Sequence, residues 1–310
     1  MLERLLDEGW SMRVLVRDAS KLEASVRQRV EVVEGDAESD EDLARAMAGA
    51  KVAWFLMHSM GGDGDFAKTE RSIAEAFAKA AAGSGVERIV YLGGLHPGEE
   101  DLSEHLASRV AVGEVLMGSG VPTAAIHAGV VMGAGSASFD MLRTLTERLP
   151  VAGGPAWLRN QIQPIDAADV VHYLVAAADL PAEVNRTFDV GGPDRLSYAE
   201  MMQRYARVRG LGPRPVATAP VMTPRPVATA PVMTPRLAGH WIGLITPIEA
   251  KLAAPLVGSM LHDTVVKEND LDLLVGPRRA APPVSTTQYA RRPAILTRGN
   301  LLAPSRWWAR

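Results

Sequence analysis

No cysteine occurs among the 310 residues, which excludes a disulfide framework, a thiolate nucleophile and a cysteine-ligated metal, and fits a cytoplasmic setting. Redox work would therefore need a bound cofactor. The chain also lacks long Lys/Arg runs and has a formal net charge of −3, so the electrostatic footprint of nucleic-acid binding is missing. A small-molecule substrate is the better expectation. A clean membrane span is missing too: the most apolar late stretch, Trp241 to Leu261, is broken by Pro247, Glu249, Lys251 and Pro255, well short of roughly 18 to 20 uninterrupted residues. Met1 to Trp10, with Glu3, Arg4, Asp7 and Glu8, has no signal-peptide core.

What is present is a globular composition, 47% hydrophobic and 22% charged, enough to bury a large core and an appendage. Short, nearly all-apolar runs at Met12 to Val16, Val30 to Val33, Val52 to Met57 and Arg88 to Leu92 read as strands buried on both faces, which favours a parallel sheet. Between them the pattern predicts helices over Glu41 to Ala48, behind Ser39 as N-cap, and over Phe66 to Ala82, ending before Gly83. Helices around Leu102 to Met117, Phe139 to Arg148 and Ala167 to Ala178 follow, with strands at Thr123 to Ala128 and Arg186 to Val190. Ser197 and Glu200 form a capping box that opens a last helix to Arg209. Alternation of this kind means an α/β fold.

Four regions result. Residues 1–211 form the Rossmann-like domain. Residues 212–236 form a Pro-rich linker in which Arg214 to Pro224 is repeated letter for letter by Arg225 to Pro235. Two copies of eleven residues are too few and too short for a repeat fold, so a local duplication is the expectation. Residues 237–275 are an apolar C-terminal segment. Residues 276–310 are Arg/Pro-rich, without periodicity, and are expected to be disordered.

In open parallel sheets ligands bind beyond the carboxyl ends of the strands. Here those positions are Arg17, Gly35-Asp36, His58-Ser59, Gly93-Gly94 and Gly129 to Gly133. Arg17 sits where a cation would accept the 2′-phosphate of NADP and an acid would select NAD, so the chain leans toward NADP. The alternative is a solvated charge pairing with Asp18. Asp36 is either an acceptor for an adenine amino group or a turn residue bonding its own backbone. The loop HSMGGDGD from His58 reads as cofactor-flanking rather than as a metal site, because no further ligands stand at metal spacing.

The ordered runs LVRDASKL, EGDAESDEDL, YLGGL, AGVVMGAGSASF, QPIDAADVVHYL and FDVGGPDRLSY together resemble the atypical short-chain dehydrogenase/reductases, more narrowly their NmrA-like NAD(P)H-binding group. The match covers about residues 1 to 211, and Arg236 to Leu274 is similar to the extra C-terminal region of a bacterial subgroup. The resemblance implies a doubly wound parallel sheet with a small C-terminal appendage, and a cofactor lying near Arg17, Asp36, Ala37, Met57, His58, Ser59, Gly93 and Gly129. Family members open with a strand and a G-x-x-G-x-x-G loop that binds the pyrophosphate. Met1 to Gly9 is similar to the second half of the helix after that loop, so the first strand and loop are expected to be absent and cofactor binding compromised. The family's Tyr-x-x-x-Lys pair falls on His105 and Arg109, and its Ser near Gly93-Gly94. His105 would be the proton donor and Arg109 would hold a phosphate or ribose; the alternative makes both ordinary surface residues of an amphipathic helix.

Three functions remain open on these grounds: an NADP-dependent oxidoreductase on a small organic substrate, a non-catalytic dinucleotide-binding sensor, or a mis-started, inactive product.

Overall fold

The apolar runs of the first half become strands because β-branched residues fit a pleat covered on both sides. The computed structural model describes residues 1–57, 66–98, 102–133, 136–148, 152–154, 156–212, 216–218 and 257–275. Helix α1 (Leu2–Asp7) ends where Gly9 takes φ +88° and Trp10 N–H bonds back to the Leu5 carbonyl, a left-handed cap that turns the chain into β1 (Arg13–Val16). There follow α2 (Ala24–Arg27), β2 (Glu31–Glu34), α3 (Asp40–Met47), β3 (Val52–Phe55), α4 (Phe66–Ser84), β4 (Arg88–Gly94), α5 (Glu104–Met117) and β5 (Thr123–Ala128). The chain continues through β6 (Val131–Met132), α6 (Ala137–Arg148), β7 (Ala152–Gly154), β8 (Gln161–Ile162), β9 (Ile165–Asp166), α7 (Ala167–Ala176), β10 (Arg186–Val190), β11 (Leu196–Ser197), α8 (Tyr198–Val208), β12 (Val216–Thr218) and α9 (Asp270–Val275).

The central sheet runs β10-β5-β4-β3, parallel throughout. Strands β1 and β2 pair in parallel as a separate two-stranded sheet. That sheet leans on the first: the Trp10 ring meets Trp54 edge-on at 5.5 Å, and Leu15 packs on the core around Phe55.

Alternation along the strands divides the core. Ile89 and Tyr91 face α3, α4 and α5, against Leu43, Phe77 and Val112, whereas Val90 and Ile126 face α7 and β10, against Tyr173, Leu174 and Phe188. Helices on both faces of a parallel sheet make the fold Rossmann-like and doubly wound. A third core, built by α6, α8 and residues 257–260, gathers Phe139, Leu142, Tyr205 and Met260.

Several expectations shift. Strand β2 starts and ends one residue later than the apolar run, and β4 extends through both glycines. Helix α4 runs through Gly83; the left-handed residue is Gly85, φ +73°, with Val86 N–H closing on the Ala81 carbonyl. Part of the duplicated segment is a strand, since β12 pairs in parallel with β7. Residues 257–275 are a strap bonded to the main body: Thr264 pairs with Gln161 and Gln163 through backbone bonds of 2.8 and 3.1 Å, and Leu271 is buried beside Tyr173 and Phe188. The second copy of the repeat and the tail lie outside the described residues.

Candidate functional site

Helix α5 sets the geometry at the carboxyl ends of β3 and β4. Ser103 caps it, accepting from Leu106 N–H, and Arg109, one turn further on, is buried rather than displayed. Its guanidinium donates to the Met57 carbonyl at 3.3 Å and to the Leu92 carbonyl. One cation thus ties the residue after β3 to the end of β4. Arg109 also lies 5.0 Å over the Tyr91 ring and 3.8 Å from the Glu70 carboxylate, to which Ser108 Oγ donates at 2.6 Å. Burial pushes the Tyr91 phenol up to about 12, so it stays protonated, and it donates to the Arg109 carbonyl at 2.9 Å. The surface-residue reading is thereby corrected for Arg109; His105 is half-buried in the first turn of α5.

Gly93 and His127 face each other across β4 and β5. A Cβ on Gly93 would stand 2.8 Å from His127 Cδ2 and 3.2 Å from the Tyr91 ring, so glycine is required there for steric reasons. The His127 ring is 5.1 Å from that of His96, and its Nδ1 is 3.9 Å from an Asp189 oxygen. Desolvation, aided by His96, Arg109 and Lys267, brings the His127 imidazole down to about 4, so it is neutral at physiological pH. Burial raises the Asp189 carboxyl. Sequence reasoning missed His127, His96 and Asp189. The available signal was a single imidazole inside the otherwise apolar run TAAIHA.

Gly129 marks a close crossing: a Cβ there would fall 2.1 Å from the Gln163 carbonyl oxygen. Gln163 in turn donates to the Gly192 carbonyl at 2.7 Å and accepts from Val266 N–H at 3.1 Å. A cavity of about 110 Å³ lies here, between Asp189, Gly191, Tyr173 and the strap residues Val266 and Asn269.

The adenosine-side candidates sit on the other sheet. Arg17 pairs with Asp36 at 3.1 Å, not with Asp18, which binds Ser20 and Lys21. Asp36 Oδ1 accepts from Glu38 N–H at 3.0 Å, the turn geometry that was one of its two expected roles. Ala37 is buried against Leu43 and Phe55. His58 and Ser59 lie outside the described residues. Site residues thus form two groups, Met57, Gly93, Gly129 and Arg109 on the central sheet, and Arg17, Asp36 and Ala37 on the β1–β2 sheet.

Arg17 is 72% exposed at a strand's carboxyl end, available to an anion, whereas the space over Gly93 is filled by the His127 and Tyr91 rings and that over Gly129 by the Gln163 backbone. Among the described residues no glycine-rich loop opens a helix to receive a pyrophosphate, no group of three or more His, Asp or Glu could hold a metal, and no helix is long and apolar enough to cross a membrane.

Residues 1–119 match the NAD(P)H-binding family model, in accord with the resemblance to the atypical short-chain dehydrogenase/reductases. No curated protein matches the chain. Solved structures share the fold at low identity. A nucleoside-diphosphate-sugar epimerase from Staphylococcus aureus is 15% identical, with TM-score 0.69 and 94% of each chain covered. A triphenylmethane reductase from Citrobacter sp. is 17% identical, with TM-score 0.69 and 93% of each chain covered. An NADPH-dependent quinone oxidoreductase from Escherichia coli, solved with NADPH, is 17% identical, with TM-score 0.66 and 93% of each chain covered.

Proposed function

With an NAD(P)H-binding domain over residues 1–119 as premise, we propose that the chain is an NAD(P)H-dependent oxidoreductase acting on a small organic substrate at the carboxyl ends of β3, β4 and β5. The observation that carries this reading is the convergence of Met57 and Leu92 on Arg109 at the ends of β3 and β4, the crevice where open parallel sheets bind ligands. When bound, the cofactor supplies the hydride chemistry. Arg17, Asp36 and Ala37 would hold its adenosine end, and Met57, Gly93 and Gly129 would stand toward the nicotinamide end, with His58 and Ser59, outside the described residues, the further candidates there. NADP is favoured over NAD because the exposed Arg17–Asp36 pair is worth only about 1 kcal/mol or less, so a 2′-phosphate can displace the carboxylate. His105 is the candidate proton donor, and Arg109 is a positioning residue fixing the backbone at Met57 and Leu92. The lack of cysteine supports a cytoplasmic setting.

A second reading, a non-catalytic nucleotide sensor, is favoured by one observation: where the family's pattern has a lysine stands Arg109, whose buried guanidinium donates to backbone carbonyls and, staying charged, cannot trade protons. Fluorescence titration of the full chain with NADPH and NADH tests the shared premise. Tighter NADPH binding is expected, and failure of both nucleotides to bind overturns it. Turnover across carbonyls and quinones then separates the two readings, since binding without NADPH consumption assigns the sensor.

A further inference from the structure

Asp42 stands at the third position of α3, behind the N-cap Ser39. A carboxylate or amide side chain at that position ordinarily returns to the backbone N–H of its own N-cap, as Glu200 does for Ser197 at the head of α8. In α3 that N–H is already taken, since Ser39 N–H donates to the Asp36 carbonyl at 3.1 Å. Asp42 reaches past it to the end of β2: its Oδ2 accepts from Asp36 N–H at 2.9 Å and its Oδ1 from Arg45 at 2.6 Å. Arg45 donates in turn to the Glu34 carbonyl at 3.0 Å. The carboxylate lies so close to the turn that a Cβ on Gly35 would fall 2.5 Å from its Cγ, and only glycine leaves it room.

Asp36 is thereby fixed at each of its polar groups. Its N–H is held by Asp42, its carbonyl by Ser39 and its Oδ1 by Glu38 N–H. Oδ2 is left, and it faces Arg17 Nε at 3.1 Å. This contact aims an otherwise exposed Arg17 side chain, and among the described residues no hydrogen bond occupies its terminal nitrogens. A guanidinium held in place loses less freedom when an anion binds than one that swings in solvent. Asp42, half-buried, acts at one remove, through the turn.

We propose that Asp42 is a positioning residue for the adenosine end of the nucleotide, holding the Gly35–Asp36 turn so that Arg17 waits where a 2′-phosphate docks. The inference rests on reading Arg17 as the cation for that phosphate, and its test uses neither nicotinamide nor turnover.

Adenosine 2′-monophosphate and adenosine, which differ by that phosphate alone, are titrated against the full chain and followed by amide NMR shifts. The parent is expected to prefer the 2′-monophosphate about tenfold and Asp42→Ala about threefold or less. Asp42→Asn, which keeps an oxygen for the Asp36 N–H, should restore most of the preference. Lower stability alone would not move this ratio, because both probes draw on the same folded fraction. Arg45→Ala, a change at an exposed side chain, should fall between parent and Asp42→Ala, and it carries the test if Asp42→Ala does not fold. An unchanged preference in these alanine variants, an Asp42→Asn no better than Asp42→Ala, or a parent indifferent to the 2′-phosphate overturns the proposal. NADPH consumption across carbonyls and quinones, measured separately, distinguishes the failures: its absence sinks the oxidoreductase reading while the 2′-phosphate preference stands, and a preference independent of Asp42 sinks the positioning role while turnover stands.

Discussion

Tyr91 and Arg109 hold each other from both sides: the guanidinium lies 5.0 Å over the phenol ring while the phenol oxygen donates to the Arg109 carbonyl at 2.9 Å. Glu70, 4% exposed, sits at the same junction. Arg109→Ala removes the cation from a buried carboxylate and two carbonyls, so urea denaturation should show a loss of about 3 kcal/mol, against about 1 kcal/mol for Tyr91→Phe. A variant Arg109→Ala as stable as the parent would end the view of Arg109 as a clamp on the strand ends.

His127 makes stability depend on pH with a definite sign. Its folded value of about 4 lies below the ordinary histidine value, so between about pH 6.5 and pH 4 the unfolded chain binds more protons and stability rises with pH. The contribution is present above about pH 6.5 and falls by about 3 kcal/mol on acidification to pH 4. Asp189, whose carboxyl is raised by burial, opposes this near the acid end. Denaturation midpoints measured from pH 7.5 to pH 4.5 should drop for the parent and flatten in His127→Gln.

The sequence made the parallel strands and their helices legible because the signals are local: a capping serine at Ser39, a capping box at Ser197 and Glu200, and runs of apolar residues. The ends of the elements were less so. Gly83 and Gly85 read alike in sequence, and only packing decides which one adopts positive φ. The strap was hidden because its bonds to Gln161, Gln163 and Asp189 join residues about a hundred or eighty positions apart. For the site, strand-end positions followed from topology, but the burial of Arg109 and the meeting of His96, His127 and Asp189 depend on tertiary contacts that no spacing encodes.

Gly129 should tolerate no side chain. Gly129→Ala drives a methyl into the Gln163 backbone, where relief means moving the chain, at a cost of about 2–3 kcal/mol or more. Gly98, whose Cβ direction is empty within 4 Å, provides the control. Thermal unfolding should separate the two alanine variants clearly, and equal melting points would contradict the close crossing.

Arg17 should matter to nucleotide choice and little to stability. Its pair with Asp36 is exposed, 72% and 45% on the two sides, so Arg17→Glu is expected to change stability by less than about 0.5 kcal/mol. On the proposed reading it weakens NADPH at least about tenfold while NADH is little affected, because the new carboxylate repels a 2′-phosphate and accepts from ribose hydroxyls. Parallel fluorescence titrations of the parent and the variant decide it; an unchanged NADPH-to-NADH ratio removes Arg17 from the binding site.

Asp189 joins the strap to the sheet. Its backbone N–H donates to Glu268 at 2.8 Å and its carboxylate accepts from Lys267 N–H at 3.0 Å, while Tyr173 reaches Asp272 at 2.5 Å further along. Asp189→Ala keeps the backbone bond and deletes the carboxylate, so the strap should loosen first at residue 267, ahead of global unfolding. Hydrogen exchange resolved by fragment should show faster exchange in 263–269 with β4 and β5 unchanged. Unchanged exchange across 263–269 would show that the Asp189 carboxylate does not anchor the strap through Lys267 N–H.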